Sequence, residues 1–322
     1  MSLARAIETG DLAELPSRRD EDWRWTDLRG AIRTMPAPAA DVDADGPGPF
    51  DGVKGGELTL ARFVATEGTQ SASLPMVFEA GTKTVLLESY EHQGGGYLHS
   101  VELDLELEGG AEVERIVLAD DAADGVTVSQ AQVRLAPGAR FRQTVLTTGA
   151  KRQRIETCVT HPGQGAVVRL DGVYLIGGAR HGDITTVVEH QGPGGETSQL
   201  TKGAVAGQGR AVFQGRIVVE RGADGTDARM GHHALILSDR GEVDAKPELL
   251  IYADDVQCAH GNTVGALDED ALFYAEQRGI PAAAAKAMLT EAFIGEVIDR
   301  IEHDGARAAA RAWATRALAG LS

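Results

Sequence analysis

Between residues 55 and 267 hydrophobic and polar side chains alternate in short runs. In VELDLELEGG, Val101, Leu103, Leu105 and Leu107 alternate with Glu102, Asp104, Glu106 and Glu108. A period of two turns one face of an extended strand to a core and the other to water. Comparable runs are KTVLLESYE, VTVSQAQVRLAPGARFRQTVLTTG, AVVRLDGVYLIGG, AVFQGRIVVERG and HHALILSDRGEVDAKPELLIYADDV. Gly109-Gly110, Pro137-Gly138 and Gly163 supply turns between them. Many short strands joined by close turns predict a sandwich, a barrel or a solenoid. A stretch of this length favours the solenoid, although no strict sequence repeat accompanies it.

The period changes after residue 267. Asp268 is suited to cap a helix, with Glu269 and Asp270 in the first turn, where the helix dipole favours anions. Gly279 is placed to end that helix, and Pro281 to open the next. Met288, Leu289, Ala292, Phe293, Val297 and Ile301 then fall at helical spacing and form one apolar stripe, read first as intrachain packing and second as a groove for a partner. A last helix rich in Ala and Arg runs through Trp313 and Leu318. At the other end, residues 1–35 read as a short helical region in which Asp11 caps a turn and Trp23 and Trp25 follow. Residues 36–54, rich in Pro, Ala, Asp and Gly, read as a linker. The expected organisation is therefore 1–35 helical, 36–54 linker, 55–267 β core and 268–322 helical.

Composition adds limits. The formal net charge of −17 opposes binding to phosphate backbones, so no nucleic-acid role is expected. Cys158 and Cys258 are the only cysteines and make no disulfide framework. No secretory leader is recognisable, and no apolar run approaches the roughly 18 residues that span a bilayer. The expectation is a cytoplasmic protein with reduced thiols and no membrane contact.

Signatures of catalysis are missing: there is no GxxxxGK[ST] loop, no GxSxG elbow and no HExxH. The glycine-rich GPGPFDG and QGPGGETSQ read as turns. His232 and His233 are adjacent, so on a strand they face opposite sides, and His181 and His190 read as isolated histidines in turn-rich stretches. The exception is DDVQCAHG at 254–261, where Cys258 and His260 are two apart and share a face about 7 Å apart on an extended chain. Thiolate and imidazole suit soft and borderline metals. Asp254 joins that face if the strand stays regular. One Cys and one His do not complete a site, so further ligands would have to come from elsewhere in the fold or from another chain; the plainer reading is a buried cysteine beside a capping histidine.

The stretch AKPELLIYADDVQCAHGNTVGALDEDALFYAEQRGI, 245–280, resembles the C-terminal signature of the SufB/SufD family of iron–sulfur cluster assembly proteins. The resemblance is carried by Pro247, Leu249, Ile251, Asp254, Asp255, Val256, Cys258, His260, Gly261, Thr263, Gly265, Asp268, Leu272, Phe273, Tyr274, Arg278, Gly279 and Ile280. SQLTKGAV, AVFQGRIVV and Thr226-Asp227-Ala228 are similar to the family's central segments, and RRDEDWRWTDL, the chain length and the two cysteines point to its SufD branch. Ala275-Glu276-Gln277 departs from the family's usual Leu-x-Ser before Arg-Gly-Ile. The resemblance implies a right-handed parallel β-helix flanked by helical regions. It implies a scaffold subunit rather than an enzyme, partnered by the SufB paralogue and by the SufC ATPase, in which ATP hydrolysis would reside. It implies a transient iron–sulfur cluster shared with SufB, with Cys258 and His260 as its candidate contacts here and none held tightly by the lone chain. The apolar stripe Leu289, Phe293 and Val297 marks the expected SufC docking region. Homodimerisation of the isolated chain is left open. Two rivals remain at this level: a cytoplasmic β-helix enzyme acting on acidic polysaccharide, which the negative charge opposes, and a cupin-like metal protein, which lacks a complete ligand set.

Overall fold

The computed structural model describes residues 2–40 and 47–321, so residues 41–46 of the expected linker lie outside the described residues. Fifteen strands alternate between two parallel sheets. The eight-stranded sheet holds β1 (Glu57–Ala65), β3 (Lys83–His92), β5 (Glu112–Ala119), β7 (Arg140–Thr147), β9 (Val167–Ile176), β11 (Glu196–Val205), β13 (Asp227–Ile236) and β15 (Gln257–Gly265), in that order. The seven-stranded sheet holds β2 (Gly68–Phe78), β4 (Tyr97–Leu107), β6 (Val126–Leu135), β8 (Arg152–His161), β10 (His181–His190), β12 (Arg210–Val219) and β14 (Glu242–Ile251). The chain therefore winds as a right-handed parallel β-solenoid. One coil takes about thirty residues: Thr84 pairs with Val113, and Val113 pairs with Phe141. Corners stack so tightly that a Cβ on Gly163, which has φ 73, would lie 2.3 Å from the backbone of Gly192.

The alternation read from the sequence is the packing rule of these coils. Val101, Leu103, Leu105 and Leu107 of β4 point inward and join Leu86, Val113, Phe141, Val168 and Phe213 in one core between the sheets. The interior is not uniformly apolar. Glu88 and Arg115, both fully buried, form a bidentate ion pair at 2.7 and 2.8 Å, and Arg115 also donates to Gln143. Burial raises the Tyr90 phenol well above its usual range, and its hydroxyl bonds Glu88 and Ser129. His181 and His190 correct the sequence expectation: they open and close β10 and are buried, because both lie in register with β12, beside Arg210 and Val219, rather than in a free turn. His190 stacks on His161 with centroids 4.3 Å apart.

Each outer face is covered by a terminal region. Helices α3 (Glu269–Gln277), α4 (Ala282–Ile298) and α5 (Asp304–Ala319) follow the last coil. Asp268 caps α3 by accepting from the amides of Asp270 and Ala271. Ile294, Val297, Ile298, Ile301, Ala310 and Trp313 pack on Leu87, Ile116, Leu146, Val173 and Leu200 of the eight-stranded sheet. The α4–α5 turn is pinned there: Glu114 accepts from the amides of Glu302 and His303, and Arg300 pairs with Asp171 at 3.1 Å.

On the seven-stranded sheet, Leu3 and Ala6 of α1 (Leu3–Thr9), with Leu15, Leu28 and Ile32, cover Leu98, Val126 and Val128. The segment around Trp23 then runs along the coils as a strap. Thr26 donates to Asp183 at 2.5 Å and the Trp25 carbonyl contacts the His181 ring. The buried Arg154 donates to the Asp22 carbonyl beneath the Trp23 ring, 4.3 Å from its centroid. Arg216 pairs with Asp22, and Lys246 of β14 with Glu21, both at 2.8 Å.

Candidate functional site

Cys258 and His260 lie on β15, the last strand of the eight-stranded sheet, which among the described residues pairs with β13 alone. The register sets Cys258 beside Ala228, His260 beside Met230 and Asn262 beside His232. Ala228 and Met230 belong to the interior core, so Cys258, His260 and Asn262 line the same inner side where the coil ends and no further coil covers them. Cys258 is half-buried and His260 exposed. Burial raises the Cys258 thiol, opposed by a contact with the Ala228 backbone, so without a cation the group stays a neutral thiol at neutral pH.

The backbone of this edge is equally specific. The Gln257 amide donates to the Thr226 carbonyl, so alternate residues from Gln257 are spent on β13. Cys258, His260, Asn262 and Val264 therefore turn their amides and carbonyls away from the sheet. An unpaired row of this kind is a template for a further strand. On β14 the same alternation sends Pro247 outward, where its missing N–H blunts the edge. Leu250, Ile251, Tyr252 and Val264 are exposed beside it.

Asp254 does not join the row. β14 ends at Ile251 and Asp254 lies in the corner before β15, so the strand geometry that would have aligned it is interrupted. Among the described residues no three His, Cys, Asp or Glu side chains come together as a metal site. Cys158 lies on β8 with its thiol pushed up to about 12 by burial, with Glu156 adding to the effect. His232 is buried and His233 is not, as opposite faces require. Burial lowers the His232 ring to about 4, and it bonds Tyr174 at 2.9 Å and Asn262 at 2.7 Å. Sequence reading missed that pair because Tyr174 is two coils away and no periodic signal links it to residue 232.

The apolar stripe of α4 packs mainly inward. Val297 is wholly buried, and Leu289 and Phe293 are half-buried. Lys202 stands 4.5 Å over the Phe293 ring and pairs with Glu296. Exposed apolar surface lies instead at Phe273 and Tyr274 of α3 and Met288 of α4, each more than half exposed. Removing α4 and α5 would uncover the sheet beneath, so a truncation at Gly279 would destroy more than a docking site. No helix among the described residues is long and apolar enough to cross a membrane.

Comparison with known proteins agrees with this architecture. Residues 62–293 match the family model described as SUF system FeS cluster assembly, SufBD core domain. An iron–sulfur cluster assembly SufBD family protein of Synechocystis is 28% identical over 237 residues, 71% of this chain and 52% of that protein. The iron–sulfur cluster assembly protein SufD of Escherichia coli is 36% identical over 165 residues, 51% of this chain and 39% of that protein. A SufBD family protein of Mycobacterium bovis is 29% identical over 232 residues, 69% of this chain and 57% of that protein. The chain thus spans about half the length of the curated relatives it matches. With its core domain matched from the first coil to the C-terminal helices, the chain belongs to the SufBD family of iron–sulfur cluster assembly proteins.

Proposed function

We propose that this chain is a scaffold subunit for iron–sulfur cluster assembly, of the SufD type. Its last coil docks against a SufB-type paralogue, and an iron–sulfur cluster is built as cargo between them. The observation that carries this reading is the uncapped end of the solenoid: β15 offers free backbone groups and sets a thiol and an imidazole on one inner face. Two donors are too few for a cluster, which usually takes four protein ligands, so the partner supplies the rest. A SufC-type ATPase docks on the C-terminal helices. Since Val297 is buried and Leu289 and Phe293 are half-buried, the docking surface centres on Phe273, Tyr274 and Met288, with Leu289 and Phe293 at its edge. The lone chain holds no cluster tightly and hydrolyses no ATP.

The test is co-expression of the full chain with its paralogue and ATPase, followed by iron and sulfide determination on the purified complex. His260→Ala is expected to leave assembly intact and to remove most of the iron and sulfide. Cys258→Ser is expected to lower them less, because the raised thiol also packs against the core. Wild-type iron and sulfide in the His260→Ala complex would reduce the histidine to a structural residue.

A further inference from the structure

We propose that Asn262 is a positioning member of the Cys258–His260 face. A hydrogen-bond chain through the solenoid interior turns its amide N–H groups outward, where they donate to a sulfur anion, a sulfide or a thiolate, bound at the open end. The proposal rests on the reading of that end as the assembly surface.

The chain begins at Tyr174 on β9, which is 1% exposed. Its hydroxyl lies 2.9 Å from His232 Nε2 and has no other partner among the described residues. Were Nε2 to carry the hydrogen, the Tyr174 O–H proton would be left without an acceptor in the buried core, which costs about 1–3 kcal/mol. Tyr174 therefore donates to Nε2, and His232 holds its hydrogen on Nδ1. That nitrogen is 2.7 Å from Asn262 Oδ1, so the histidine donates and the amide oxygen accepts. Phe213 fixes the imidazole from one side, its ring 4.6 Å away and parallel to within 2°. The orientation of an asparagine amide is usually ambiguous; here the buried tyrosine decides it.

With Oδ1 turned toward His232, the side-chain groups that Asn262 presents outward are its N–H groups. They make no hydrogen bond among the described residues, and the side chain is exposed at the end of the coil. Asn262 follows His260 by two residues on the same inner face, a spacing of about 7 Å along a strand. Outward-facing N–H groups favour a lone pair or an anion and disfavour a bare metal ion. Beside a thiol and an imidazole, the chemistry it fits is the sulfur of a forming cluster, where donated hydrogen bonds raise the reduction potential.

Two measurements test this. In the isolated full-length chain, nitrogen-15 spectra of the histidine rings should show His232 as the Nδ1–H tautomer, and Tyr174→Phe should shift it toward Nε2–H. An Nε2–H tautomer in the unsubstituted chain would overturn the relay. In the reconstituted complex, Asn262→Ala should lower the reduction potential of the cluster that forms and move its visible bands, and Tyr174→Phe should move both in the same direction by less. If His260→Ala removes the cluster while Asn262→Ala leaves potential and spectrum unchanged, Asn262 has no donor role and the proposal alone falls. If His260→Ala retains wild-type iron and sulfide, the assembly-surface reading falls and the donor role falls with it.

Discussion

Two terminal strands of the solenoid, one from each sheet, are finished in opposite ways. At β2 the outward amide and carbonyl of Thr69 are met by the backbone of Ala37 and Ala39, at 2.9 and 3.0 Å. Pro75 of the same strand turns outward without an N–H, and α1 packs against the strand. At β15 there is no proline and, among the described residues, no covering segment, and Cys258, His260, Asn262 and Val264 point their backbone groups into the open. A closed edge protects a sheet from unwanted pairing; an open one costs solubility unless something is meant to occupy it. The contrast separates the part of the molecule that maintains the fold from the part available for a partner.

The largest effect that sharpens this contrast is acid. Burial lowers His161, His181 and His232 to about 4 and His190 to about 3, with the His161 ring also opposing protonation of His190. Above the unfolded value of about 6.5 neither state binds a proton at these sites and pH has no leverage. Between about 6.5 and 4 only the unfolded chain binds one, so stability falls as pH drops, by roughly 1.4 kcal/mol per pH unit for each histidine. Urea unfolding followed from pH 7 to 4.5 should show this loss; a flat profile would mean that these side chains are hydrated.

Next in size is the buried ion pair. Arg115→Met strands the Glu88 carboxylate in the core and should cost about 3–5 kcal/mol in urea unfolding. His260→Ala in the isolated chain should stay within about 0.5 kcal/mol of the unsubstituted protein, as a surface change does. Equal costs would erase the difference between body and end. Smaller still is Val264→Pro, which deletes one outward N–H without touching the β13–β15 ladder. It should change the stability of the isolated chain by no more than about 1 kcal/mol, yet weaken copurification of the paralogue. Leu60→Lys on β1, the other terminal strand of that sheet, should leave copurification unchanged; loss of the partner there would move the interface to the opposite end and break the comparison.

Much of this division was legible in the chain. The alternation of Val101 to Leu107 predicts β4 and its buried face, and Asp268 with Gly279 brackets α3 closely. The spacing of Cys258 and His260 places both on one side of β15. The coil period was not legible, because the repeat is one of backbone register and Thr84, Val113 and Phe141 share no residue type. The interior polar groups also hid: Glu88 and Arg115 are 27 positions apart, and only the parallel stack brings them within 2.7 Å. For Asp254 to join the Cys258–His260 face the strand has to stay regular, and the corner between β14 and β15 breaks that condition. The Tyr174–His232–Asn262 chain depends on four stacked strands, β9 to β15, being superposed, which no local pattern encodes.

The strap between Glu21 and Thr26 also bears on the order of events during synthesis. Glu21 reaches Lys246, 225 positions later in the chain, while neighbouring coils close over about thirty residues. Coils of a solenoid can form one after another as they emerge, each on its predecessor. The strap, translated first, has no complete landing track until β14 exists, and a contact of such separation is slow to close. The last contact of the strap, Glu21 with Lys246, can therefore close only when the penultimate strand has been made. Refolding followed by Trp23 fluorescence should lag the β-sheet signal, and a strap that closed with the first coils would show no lag.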